Sequence, residues 1–102
     1  MTIDREFFLG FIKIHILYHA AAEPIFGAQI SAELARHGYD LSPGTLYPTL
    51  HRLERAGYLE SSSAVVGGRK RKYYRATSEG RRVLDQSRAR IRELVAEVVE
   101  GR

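Results

Sequence analysis

With 102 residues, 44% hydrophobic and 27% charged, the chain has material for one cored domain and a composition that excludes disorder. It holds no cysteine, which excludes a disulfide framework, a thiolate metal centre and a thiol nucleophile. The net charge of +4 is unevenly distributed: three cations face five anions in residues 1–40, seven face two in residues 41–75, and six face five in residues 76–102. A basic patch of this kind attracts a phosphate backbone and releases its counterions, which gives affinity without sequence choice. A solvated basic surface is the plain alternative, but Arg69-Lys70-Arg71-Lys72 places four mutually repelling cations on one loop.

The first helix is expected over Asp4–Ala22, with Asp4 and Glu6 at its positive end. Its middle, FFLGFIKIHILYHA, is apolar on nearly every face and must be covered on more than one side. A domain this small covers one side, so a second chain is expected against Phe7, Phe8 and Phe11. The run Phe7–Ala22, interrupted by Lys13, His15 and His19, is too short to span a bilayer comfortably, and it lacks the pattern of a secretory signal. No membrane association is expected, and a cytoplasmic location is the default. His15 and His19 could share one face of a metal site, but two ligands do not close a zinc site and no third is obvious. Interface packing explains them better, and neither a metal nor any other cofactor is expected.

Glu23-Pro24 breaks the helix, because the residue before proline is pushed out of helical geometry. A second helix is expected from Phe26 or Gly27 to His37, with Ile30 and Leu34 inward and Gly38 as its stop. After a short turn, Ser42 is placed to cap a third helix that has Pro43 at its first position and ends at Ala56-Gly57. Leu46, Leu50 and Leu53 recur at helical spacing and read as core, which leaves Thr45, Tyr47, Pro48, His51 and Arg52 on the opposite side. A threonine methyl can meet a thymine methyl, and arginine can bond guanine twice. The alternative for these residues is contact with phosphates alone, which holds register without specifying sequence.

Two strands, Tyr58–Val66 and Lys70–Ala76, follow as a hairpin turning at Gly67-Gly68, where tight turns demand positive φ. Alternation puts Tyr74 inward and Tyr73 and Arg75 on the other side. Thr77 should cap a last helix from Ser78 to about Glu100. Its apolar positions Val83, Leu84, Ile91, Leu94, Val95, Val98 and Val99 run further than one small domain can cover, so its C-terminal half should pack on a partner. Two short helices joined by a turn, then a hairpin with a basic tip, are how a winged helix-turn-helix meets DNA. The fold class expected is mainly α with a small β-hairpin: a winged helix-turn-helix DNA-binding domain over residues 1–77 and an added C-terminal dimerisation helix over 78–102, in one compact unit. Ser61–Ser63 and the scattered acids form no nucleophile–base–orienter pattern, so an enzyme is not expected.

At GTLYPTLHRLERAGYL (Gly44–Leu59) and RKYYRATSEGRRVL (Arg71–Leu84) the chain resembles the PadR family of bacterial and archaeal transcriptional regulators, and the order of elements matches throughout. It is similar to the short branch, in which one C-terminal helix serves dimerisation; Ala76 stands where leucine is usual before the threonine. The resemblance implies a homodimeric repressor on a roughly palindromic operator in double-stranded DNA. It also implies recognition-helix contacts by Ser42, Thr45, Tyr47, Pro48, His51 and Arg52, wing contacts by Arg69, Lys70 and Arg71, and a dimer surface reaching Ile91, Leu94, Val95 and Val98. Several members respond to a small aromatic ligand near the dimer interface. A tryptophan lines the drug-binding examples, and this chain has none, which argues against a planar-drug pocket of that design. A protein-interaction adaptor and an RNA-binding module are the rival functions for the same fold.

Overall fold

The computed structural model describes residues 3–102. Helix α1 runs over Arg5–Ala22, capped by the Asp4 carboxylate, which accepts the Glu6 N–H at 2.8 Å. Glu23 is extended, as Pro24 requires, and the chain passes straight into a two-residue strand β1, Ile25–Phe26. Helix α2 covers Gly27–Arg36; the Gln29 side-chain oxygen accepts the Phe26 N–H at 3.1 Å, satisfying the donor ahead of the first turn. Gly38 ends α2 at φ +88°, while the Gly38 and Tyr39 N–H groups bond the Ala35 and Leu34 carbonyls.

Helix α3 covers Pro43–Arg55, with Pro43 at the first position as expected. The Ser42 hydroxyl does not cap it: it donates to Thr45 Oγ1 at 3.4 Å, and the Ser42 carbonyl takes the Thr45 and Leu46 N–H groups instead. Strands β2 (Leu59–Val66) and β3 (Arg69–Ala76) form the hairpin, and Gly67 and Gly68 carry φ of 58° and 78°, the double positive value of a type I′ turn. The sheet has one strand more than the hairpin. β1 pairs antiparallel with β3, setting Ile25 opposite Tyr74 and Phe26 opposite Tyr73. Phe26 is therefore a strand residue rather than the start of a helix.

The core gathers one face of each element: Ile12, Ile16 and Leu17 from α1, Ile30 and Leu34 from α2, Leu46, Leu50 and Leu53 from α3, and Leu59 and Tyr74 from the sheet. Helix α4, Ser78–Leu94, is capped by the Thr77 hydroxyl, which accepts the Gly80 N–H at 3.0 Å and donates to the Gly57 carbonyl at 2.6 Å. Gly80 lies so close to the chain at Tyr58 that a Cβ there would overlap the Tyr58 carbonyl. A single π-helical segment, Val95–Val99, extends α4. Of this long helical arm only Gly80 and Leu84 are buried, so everything beyond Leu84 projects from the core. The radius of gyration, 14.7 Å, exceeds the value of about 13 Å for a compact chain of this length because of that arm. No helix among the described residues is long and apolar enough to cross a membrane.

Candidate nucleic-acid interface

Helix α3 is amphipathic by construction. Leu46, Thr49, Leu50 and Leu53 occupy the buried stripe, and Tyr47, Pro48, His51, Arg52 and Arg55 take the remaining circumference. Thr49 escapes a sequence reading because it is polar, yet it is fully buried; its hydroxyl donates to the Thr45 carbonyl at 2.8 Å and so carries no unpaired group inward. Thr45 is half-buried beside it, whereas Ser42, Pro48, His51 and Arg52 are exposed. Pro48 has no N–H, so the Gly44 carbonyl one turn back lacks its helical donor and is left to solvent or a partner. Tyr47 is 42% exposed and lies against α2: a Cβ on Gly27 would come within 2.5 Å of its hydroxyl. Glycine at 27 is what lets the ring seat there, so Tyr47 ties the exposed helix to the one before it.

The wing is attached to α3 by a polar tie. The Ser61 hydroxyl of β2 donates to the Glu54 carboxylate, and Lys72 of β3 approaches the same group at 3.6 Å. The Ser61 hydrogen bond, aided by the Lys72 ammonium, outweighs partial desolvation and holds the Glu54 carboxyl below its ordinary range.

Strand alternation then divides the four wing cations. Arg71 faces β1, its guanidinium 4.0 Å above the Phe26 ring, which also meets Tyr73 edge-on at 5.6 Å. Lys72 is committed to Glu54. Arg69 and Lys70, nearest the turn, are exposed, and among the described residues neither they nor Arg52 has a carboxylate within 4.0 Å. The α3 face and the wing meet across a groove of about 380 Å³ lined by Tyr47, His51, Arg69, Lys70, Arg71 and Lys72 over a floor of Phe26 and Tyr74. The fold thus brings Tyr47 and His51 together with the wing cations. Thr45, Pro48 and Arg52 lie on the same helix, and Ser42 just ahead of it, outside the groove. Phe26, the aromatic residue under Arg71, is among the groove residues that sequence reasoning missed, because a two-residue strand carries no period to mark it.

Residues 16–86 match the family described as the transcriptional regulator PadR-like family. The chain belongs to the PadR-like family. It is 53% identical over 97 residues to the transcriptional regulator Rv3488 of Mycobacterium tuberculosis, a match covering 95% of this chain and 91% of that protein. Among solved structures it is similar to a PadR family transcriptional regulator from Eggerthella lenta, at 37% identity and a TM-score of 0.81, covering 93% of this chain and 84% of that one. It is also similar to a PadR-like regulator from Bacillus cereus, at 31% identity and a TM-score of 0.74, covering 91% and 95% of the two chains. As a PadR-like chain it is a transcriptional regulator acting through DNA, not an enzyme.

A second surface of this PadR-like chain is apolar. Phe7 and Phe11 on α1 are 69% and 48% exposed, and Ile91, Leu94, Val95 and Val98 on the projecting arm are exposed with them. Phe8 differs from its neighbours: it is half-buried and packs on Tyr39 at 5.3 Å within the same chain. Between α1 and α4 lies a pocket of about 590 Å³ whose apolar walls include Phe11, Tyr18, Leu84 and Ile91.

Proposed function

We propose that the chain is a sequence-specific, homodimeric repressor on a near-palindromic operator in double-stranded DNA, working in the cytoplasm. The observation that carries this reading is the groove in which the outer face of α3 meets two wing cations without ion-pair partners. Helix α3 enters a major groove, where His51 and Arg52 reach base edges and Ser42, Thr45, Tyr47 and Pro48 hold sugar and phosphate. Arg69 and Lys70 follow the adjoining minor groove or its phosphates; Arg71, held over Phe26, contributes as a fixed charge at the groove wall.

One such unit, residues 1–77, reads half a site. The arm over residues 78–102, with Phe7 and Phe11, supplies the apolar surface that pairs two units, and Ile91, Leu94, Val95 and Val98 form its seam. Phe8 supports that surface from within through Tyr39. Two α3 helices then fall in successive major grooves about 34 Å apart. Repression follows from covering a promoter. A small aromatic effector would sit in the pocket between α1 and α4, where it would change the angle between the paired units.

Selection of bound fragments from the source genome tests this reading. The expected result is recovery of a common duplex motif with two-fold symmetry, for which Arg52→Ala loses preference while keeping general affinity. Recovery of no motif, or equal retention of structured RNA and duplex DNA, would show that the protein does not read duplex sequence.

A further inference from the structure

Three histidines meet at one end of the α1–α4 pocket. His15 and His19 stand one turn apart on α1, and His37 is the residue that closes α2. Their ligand nitrogens all lie within 4.8 Å of one another. The sequence offered only the first two, because nothing in its spacing brings His37 beside them; the packing of α2 on α1 does so, and the objection that a third ligand is missing no longer holds.

The rings pack against one another and against a neighbouring tyrosine. The His15 ring stacks on His37 at 5.0 Å and meets Tyr39 at 5.2 Å. Burial first, then the neighbouring His37 and His19, lowers the proton affinity of His15. The charged groups around the cluster come in compensated sets. Glu33 of α2 lies 3.9 Å from His19 Nε2 and is itself paired with Arg36 at 3.1 Å. Arg88 of α4 lines the same pocket but is paired with Asp85 at 2.9 Å, so among the described residues no unpaired cation lines that pocket.

We propose that His15, His19 and His37 bind one divalent transition-metal ion of the zinc class, with a fourth position open to water or a small ligand. Three imidazoles with neither thiolate nor carboxylate in the inner set suit zinc, copper or nickel and do not suit magnesium or calcium. A tetrahedral site with metal–nitrogen bonds of about 2.0–2.1 Å needs nitrogens about 3.4 Å apart. Ring rotation supplies the closure from the present spacing, since His37 is exposed and His15 and His19 are only half-buried. A bound ion would clamp α1, half of the apolar pairing surface, to the turn leading into α3.

The test uses the full chain stripped with a chelator and titrated with Zn²⁺ against a chromophoric competitor, in the absence of DNA. The expected result is one ion per chain at micromolar affinity or tighter. His37→Gln and His19→Ala should each weaken binding by at least about 100-fold, since even outer-shell changes cost 10–100-fold. Mg²⁺ should not compete. His37→Gln, at an exposed cap position, should melt like the wild-type apo-protein, which separates ligand loss from misfolding. Saturation at no defined stoichiometry, or an unchanged affinity in His37→Gln, would overturn the site. Because no DNA is present, failure here leaves the operator reading intact, and failure of that reading leaves the metal site intact.

Discussion

Removing Arg69 and Lys70 together, as Arg69→Ala/Lys70→Ala, probes the wing where its charge is free. Arg71 is stacked on Phe26 and Lys72 is paired with Glu54, so the two tip cations are the ones available to phosphates without first breaking an internal contact. Each phosphate neutralised contributes about 0.9 to the slope of log affinity against log salt concentration. In the proposed dimer, two cations on each of two wings amount to four contacts, so the double variant should show a slope shallower by about 3.6. Between about 50 and 200 mM salt, the wild-type protein should therefore lose roughly a hundred-fold more affinity than the variant loses. Fluorescence anisotropy on a labelled duplex at five or six salt concentrations gives both slopes directly. Lys72→Ala should flatten the slope less per residue, because its charge is already compensated by Glu54. Parallel lines for wild type and double variant would refute phosphate contact by the wing.

Further expectations concern pairing, packing and pH. Phe11→Glu combined with Val98→Glu puts charge on two exposed positions of the apolar surface and should convert the proposed dimer to a folded monomer in sedimentation equilibrium; a dimer persisting in the variant would relocate the interface. Leu50→Ala, at a fully buried position, should cost about 2–5 kcal/mol in chemical denaturation, while a cost below 1 would mean that α3 is less tightly held. Gly80→Ala forces a methyl onto the Tyr58 carbonyl, a backbone atom that cannot swing away. It should cost about 1–3 kcal/mol and lower Tm by several degrees. Glu54 has a folded pKa below its ordinary value of 4.5. Its contribution to stability should be complete above that value and fade as pH falls through the lowered one, a dependence that Glu54→Gln should remove from the acid limb of the stability curve.

Local chemistry made much of this fold legible. Ser42-Pro43, the leucines of α3 and the double glycine of the hairpin each state a geometry that the chain then adopts. Thr77 caps as its position suggests, while the Ser42 hydroxyl turns to Thr45, since the same side chain has two partners in reach and the sequence does not rank them. Strand β1 was invisible because two residues carry no period; Ile25 and Phe26 are strand only because Tyr74 and Tyr73 of β3 lie opposite them. For the candidate interface, the sequence supports a set of expected residues but not the contacts each makes within the chain. Which wing cations are free depends on what lies across each strand face, and Phe26 and Glu54 come from distant parts of the chain. His37 joined His15 and His19 for the same reason, through tertiary packing rather than spacing.

The most direct test of duplex reading by α3 and the wing is the ratio of affinities for the selected operator and a scrambled duplex of equal length at physiological salt. A ratio of about 10³ or more is expected for the wild-type protein, with, for the proposed dimer, a protected region whose half-site centres lie about 10 base pairs, or a multiple of one helical turn, apart. Equal affinity for the two duplexes would contradict sequence reading by α3 and leave the groove as a general phosphate-binding surface.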